Sequence, residues 1–321
     1  MNNKRIMIVD ALNMYFRAYI VDPSLSANGQ PVGGVKGFLK ILQKLTREIK
    51  PDHIVIAWDG GSSRRKSTFG GYKSGRKPIR LNRGIRNMTE NEELENKIWQ
   101  QTRLFEYLNE MPVCQLMIDN LEADDIIAFV SNMKEIEDWQ KVIVSSDKDF
   151  IQLCSDNTIL YRPVQKEILN EKRIVENYGI HPNNFALARA MAGDKSDNLP
   201  GVGGVGLPTV SKRFPFLSEE KDYTITELVE YAKEVESSLK AYKNVVDKQD
   251  LIEQNYRLMQ LYMPSMSPQA KKSIKDCVLG FEPEFNKTGT RAMMIEDGFG
   301  VYDWNDLFVH FKKIIIEYKG K

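Results

Sequence analysis

The sequence predicts an α/β fold: a mostly parallel central sheet with helices on both faces. Three observations carry that reading: four short apolar runs, helical stretches between them, and an acid at or just past the end of almost every run. The first run is RIMIVD, residues 5–10, closing on Asp10. Val35, Phe38, Leu39, Leu42, Leu45 and Ile49 then recur at helical spacing, and HIVIAWD, residues 53–59, repeats the strand pattern and closes on Asp59. Thr89 and Glu92 form a capping box that opens a helix to about residue 110. VCQLMI (113–118) is the third strand, a helix begins near Leu121, and KVIVSSD (141–147) is the fourth strand.

Composition sets outer limits. With 321 residues, 42% of them hydrophobic and 28% charged, the chain reads as a soluble globular protein with a sizeable core. Cys114, Cys154 and Cys277 are far apart and form no C-x-x-C pair, which predicts free thiols in a reducing compartment. No leader pattern and no apolar run of membrane-spanning length is present, so the expectation is a cytoplasmic protein (host cytoplasm for a viral source) without a membrane partner. A net charge of +1 excludes nothing by itself. Its distribution is more telling.

In a parallel α/β sheet, ligands bind beyond the carboxyl ends of the strands. Asp10, Asp59, Asp147 and Asp149 fall at or just past such ends, and Glu122, Asp124 and Asp125 open the helix after the third strand. A single strand-end aspartate is most often a helix cap. Seven carboxylates on one edge repel one another unless cations neutralise them, and oxygen donors without cysteine or histidine suit Mg²⁺ or Mn²⁺ rather than zinc.

The interval from Gly60 to Thr89 has the opposite character. It holds nine basic residues (Arg64, Arg65, Lys66, Lys73, Arg76, Lys77, Arg80, Arg83 and Arg86) and no acid, with Phe69 and Tyr72 among them. Cations interleaved with aromatics fit a phosphate backbone with stacked bases, while the plainer alternative is a solvated loop.

A third signal is GDKSDNLPGVGGVG, residues 193–206, which contains G-x-G-x-x-G at Gly201, Gly203 and Gly206. A dinucleotide fingerprint must follow a strand, and here a helical stretch with Phe185, Leu187, Ala188 and Met191 precedes it. What remains is helix, glycine-rich hairpin, and a second helix from about Leu207, whose freed amides can approach a phosphate. Asp194 and Asp197 share one face of a turn and supply oxygens for a second metal ion.

In order and spacing these segments resemble the 5′-nucleases, the family of flap endonucleases, phage 5′ to 3′ exonucleases with ribonuclease H activity, and the 5′-nuclease domain of bacterial DNA polymerase I. The resemblance runs from about residue 5 to 265, through IMIVDALNMYFRAY, IAWDG, GYKSGRK, LEADD, SSDKDF and MAGDKSDNLPGVGGVG. It is closest to the free-standing phage enzymes. It implies a PIN-like core with a basic arch over about 60–89 and a helix-hairpin-helix motif. It also implies two Mg²⁺ ions, for which Mn²⁺ substitutes, held by Asp10, Asp59, Glu122, Asp124, Asp125, Asp147, Asp149, Asp194 and Asp197. Arg17, Lys73 and Arg76 become catalytic phosphate contacts and Tyr72 a stacking aromatic. Arg64, Arg65, Lys66, Lys77, Arg80, Arg83 and Arg86 join the DNA-binding set with Gly201, Gly203, Gly204 and Gly206. One position departs from the family pattern: Pro208 stands where a lysine is common, and Lys212, one turn on, is expected to replace it.

Three regions follow: a nuclease core over 1–180, a helical DNA-binding region over 181–265 that includes amphipathic stretches at 223–242 and 251–263, and an extension of unassigned role over 266–321. His53, His181 and His310 lie outside every acid motif, so metal ions rather than a histidine must activate the attacking water. The expected activity is hydrolysis of 5′ flaps, nicked duplex and RNA primers on DNA by a monomer, with replication proteins as further partners. A PIN-like ribonuclease would share the acids but not the hairpin and basic loop. A non-catalytic DNA-binding module would leave the acids unexplained.

Overall fold

The computed structural model describes residues 4–61, 63–76, 79–81, 85, 88–235, 239–300 and 303–319. Its centre is a six-stranded sheet in the order β3-β2-β1-β4-β5-β6. The strands are β1 (Arg5–Asp10), β2 (His53–Trp58), β3 (Cys114–Met117), β4 (Gln140–Val144), β5 (Thr158–Arg162) and β6 (Glu167–Leu169). All neighbours run parallel except β5 and β6, which are antiparallel. The four expected strands are present to within a few residues. Two more were not read from the sequence: β5 is a short alternating segment and β6 has three residues, too few to show a period.

Helices α1 (Ala11–Val21), α2 (Gly33–Ile49), α3 (Arg64–Thr68), α4 (Glu90–Asn109) and α5 (Ala123–Ser131) belong to this part of the chain. The capping box of Thr89 and Glu92 opens α4 as expected. The inner strands β1, β2 and β4 are almost continuously buried, as a sheet covered on both faces requires. Downstream lie α6 (Glu171–Tyr178), α7 (Pro182–Ala192), α8 (Leu207–Arg213), α9 (Ile225–Glu234), α10 (Lys240–Asp247) and α11 (Gln249–Met259). The 223–242 stretch thus yields two helices, α9 and the start of α10. One buried cluster runs from Ile6 and Ile8 through Phe185 and Val210 to Val278, so these helices share core with the sheet.

The last helices are α12 (Pro268–Leu279), α13 (Lys287–Glu296) and α14 (Trp304–Lys319). They fold back on the body. Asp297 accepts from Arg103 at 2.7 Å and from the Tyr107 hydroxyl, tying the end of α13 to α4. Asp306 takes Gln43 and Arg47 of α2, and Phe311 is buried against the same face. Among the described residues no helix is long and apolar enough to cross a membrane.

Candidate active site

The carboxyl ends of β1, β2 and β4 deliver the acids. Asp10 caps α1, accepting from the Asn13 amide at 3.1 Å, and its other oxygen accepts from the Ser145 hydroxyl at 2.9 Å. That hydroxyl also receives the Asp147 amide at 3.1 Å, and Asp147 receives the Asp149 amide at 2.9 Å. Ser145 is therefore a buried link between the ends of β1 and β4. Asp59 accepts from the Ala123 amide at 2.7 Å, fixing the end of β2 against the start of α5. Gly60 makes that approach feasible, since a Cβ there would lie 1.9 Å from the Ile118 carbonyl oxygen.

Burial pushes Asp10 up to about 7, its hydrogen bonds oppose the rise, and the charges of Asp59 and Asp147 add to it. Asp124 is raised well above the usual carboxylate range, first by burial and then by Asp147. Asp149 rises to about 7 for the same two reasons, although Arg189 opposes the shift. These carboxylates share one field.

Basic side chains from the 60–89 segment enter the other side of the cluster. Arg65 bridges Glu122 at 2.7 Å and Asp125 at 2.6 Å. The Lys73 ammonium lies 2.9 Å from Glu122, and the Tyr72 hydroxyl donates to the same carboxylate at 3.2 Å. Burial would raise Glu122, but Lys73 and Arg65 outweigh it and hold the group near 2. Asp125 stays raised by burial despite Arg65. Arg76 pairs with Asp197. Arg189 of α7 spans Asp149 at 2.9 Å and Asp194, and Asp194 also accepts the Ser196 amide at 2.7 Å.

The remaining expected residues are placed as follows. Arg17 lies on α1 with a buried Nη1 that has no hydrogen-bond partner among the described residues. Tyr72 is 3% exposed and packs with Leu199, Leu258 and Met259, so stacking on a base would require it to leave that cluster. Lys66 is exposed on α3. Arg80 pairs with Glu90 and Glu93 at the start of α4, away from the carboxylates. Lys77, Arg83 and Arg86, and the side chain of Arg64, lie outside the described residues. Lys212 is exposed in the last turn of α8. The glycines differ among themselves. A Cβ on Gly201 would lie 2.1 Å from the Ala192 carbonyl oxygen, so this residue closes the base of the loop, whereas Gly204 has open space and a Cβ on Gly203 or Gly206 would make an ordinary contact at 3.8 Å.

Sequence reasoning missed Ser145, Asn13 and Arg189. A signal existed for Arg189, the one charged residue of α7 and five positions before Asp194. His181 caps α7 and His310 pairs with Asp306 on α14, so neither faces the acids.

All-oxygen donors, crowded and mutually raising one another, fit hard divalent cations. Among the described residues no three His, Cys, Asp or Glu side chains converge closely enough, as arranged here, to hold one ion. Several of the carboxylates are bound instead by Arg65, Lys73, Arg76 and Arg189.

Known proteins share this architecture and this order of segments. A solved structure of the 5′-exonuclease of bacteriophage T5, with zinc as the bound divalent metal, superposes with a TM-score of 0.70 at 18% identity, covering 87% of this chain and 99% of that one. A 5′-3′ exonuclease of Buchnera aphidicola is 34% identical over 210 residues, 64% of this chain and 68% of that protein. The thermostable DNA polymerase I of Thermus aquaticus is 31% identical over 210 residues, but the match spans only 23% of its length. The family described as 5′-3′ exonuclease, N-terminal resolvase-like domain, matches residues 5–179, more than half of the sequence. The chain belongs to the 5′-3′ exonuclease family.

Proposed function

We propose that the protein is a divalent-metal-dependent, structure-specific 5′-nuclease that hydrolyses phosphodiesters at 5′ flaps, in nicked duplex and in RNA primers on DNA during replication or repair. The observation that carries this reading is the raised Asp10, Asp124 and Asp149 group, together with the neighbouring Glu122 and Asp125 that Lys73 and Arg65 pair. The acids supply oxygen donors for two Mg²⁺ ions, with Mn²⁺ as a substitute, and the cations supply contacts for a phosphate. When bound, the metal ions supply an activated water and stabilise charge on the leaving oxygen. Asp10, Asp59, Glu122, Asp124, Asp147 and Asp149 would hold them, directly or through water, with Asp125 beside them and Asp194 and Asp197 on the duplex side.

The chain's own residues do the positioning. Lys73 and Arg76 lie on one turn and Arg17 on α1, so a phosphate entering the site meets positive charge from two directions, and that charge is worth most as the phosphate oxygens gain negative charge. The hairpin between α7 and α8 offers the uncrowded backbone of Gly203, Gly204 and Gly206, with no neighbour nearer than 3.8 Å to a Cβ there, to the duplex. It acts as a helix-hairpin-helix, with Lys212 on its second helix. The 60–89 segment closes over the single strand, so a 5′ tail must enter by its free end.

A labelled 5′ flap incubated with Mg²⁺ or with chelator, with product lengths mapped, tests the reading. Cleavage near the junction, and a sharp fall in initial rate when streptavidin blocks a 5′-biotinylated flap, are expected. Undiminished cutting of the blocked flap would remove threading. Cleavage confined to RNA would favour a ribonuclease, and Mg²⁺-independent binding without cleavage a DNA-binding module.

A further inference from the structure

Ser74 and Asn198 are 124 residues apart in sequence, yet their side chains meet at 3.0 Å. The same Asn198 amide nitrogen donates to the Gly71 carbonyl at 3.0 Å, and Ser74 Oγ donates to that carbonyl at 2.8 Å. One amide, one hydroxyl and one carbonyl thus close a triangle between the turn that carries Lys73 and the loop that carries Asp194 and Asp197. The Lys73 amide donates to the Asp197 carbonyl at 2.9 Å, and Arg76 takes the Asp197 carboxylate. Lys73 and Asn198 both adopt left-handed backbone, with φ of 56° and 58°. Asparagine tolerates that region, whereas lysine stays there only where its surroundings hold it.

The loop side is anchored in turn. Asn255, fully buried on α11, donates to the Ala190 and Pro200 carbonyls at 2.9 Å each, and Asn244 on α10 donates to the Gly203 carbonyl at 2.8 Å. Beneath the joint, Tyr72 and Leu199 pack on Leu258 and Met259. Asn198 therefore adds a side-chain tie to the Lys73 and Arg76 bonds to Asp197, where the Lys73–Arg76 turn meets the hairpin braced by α10 and α11.

We propose that Asn198 is a positioning residue that ties the phosphate-gripping turn to the hairpin, so that cleavage is confined to the junction of single strand and duplex. Because Lys73 and Arg76 are set relative to the duplex side, a strand lacking a duplex behind it does not receive the same alignment. The inference rests on the nuclease reading for its consequence, but not for the tie itself.

Two variants test it. Asn198→Gly keeps the left-handed backbone and deletes the amide. Asn198→Asp keeps the size and sets a carboxylate against the Gly71 carbonyl. Limited trypsin digestion of the metal-free, DNA-free protein reads the tie directly, and cleavage after Lys73 and Arg76 should quicken about tenfold in both variants, as expected for losing one coupled contact. Single-turnover cleavage of a 5′ flap should fall about tenfold with flap affinity within about threefold, while cutting of the same single strand changes little, so that the preference for the flap narrows. Ser74→Ala combined with Asn198→Gly should cost less than the sum of the two. Unchanged trypsin protection in both variants would overturn the tie, and equal losses on flap and single strand would overturn the junction role. Were the wild-type protein to cut no substrate in Mg²⁺, the nuclease reading would fall, and the trypsin arm would still decide the tie.

Discussion

The two flanks of the acidic site are neutralised in different ways. Asp10 and Glu122 are about equally buried, at 8% and 5% exposed, yet burial carries the first up to about 7 while the second stays near 2. Burial pushes both groups up. What differs is the reach of the basic segment: Arg65 and Lys73 contact Glu122, whereas the polar partners of Asp10 among the described residues are the Asn13 amide and the Ser145 hydroxyl. The hydrogen bonds to Asp10 offset only part of its desolvation, whereas an ammonium and a guanidinium, helped by the Ser63 hydroxyl, more than offset that of Glu122. The Asp10 flank is thus where an added cation gains most, and the Glu122 flank is where the protein has provided its own.

The sharpest way to break this comparison is to remove charge from the uncompensated flank. Asp147→Asn should reduce flap cleavage by about three orders of magnitude or more while flap affinity in Ca²⁺ stays within a few-fold, since Asp147 sits among the donors and Arg65, Lys73 and Arg76 form their ion pairs with other acids. Near wild-type cleavage would take Asp147 out of the site. On the compensated flank, Arg65→Ala strands the buried Asp125 carboxylate, leaves Glu122 with Lys73 as its remaining cation, and should destabilise the protein by about 3 kcal/mol in urea titration. Arg65→Lys should recover only part of that, because an ammonium cannot bridge Glu122 and Asp125 as a planar fork does.

A smaller effect concerns pH. With its folded value raised to about 7, Asp10 binds a proton in the folded protein that the unfolded chain has already released above about pH 4. This favours folding at low pH and is lost as the pH rises towards 7. In chelator, Asp10→Asn should therefore raise stability at pH 7.5 by up to about 3 kcal/mol and change it little at about pH 4.5. Equal urea midpoints for the two proteins at pH 7.5 would mean that Asp10 is not strained as described.

Local rules make much of this site legible in the amino-acid sequence. RIMIVD and HIVIAWD are strands because buried parallel strands are continuous apolar runs, and Thr89 with Glu92 opens α4 because a capping box satisfies two amides within one turn. The acids fall on one edge because parallel strands present all their carboxyl ends on the same side. Periodicity could not reveal β6, whose three residues take their strand geometry from pairing with β5. Nor could sequence say that Arg65 would answer Glu122 and Asp125, that Arg189 would span Asp149 and Asp194, or that Asn198 would reach Ser74. Propensity, patterning and capping act over a few residues, so the chain itself determined the strands, the caps and the edge on which the acids stand. Pairing of charge and of hydrogen bonds depends on the distance between segments more than a hundred positions apart in some cases, and only the tertiary structure decided which cation faces which carboxylate.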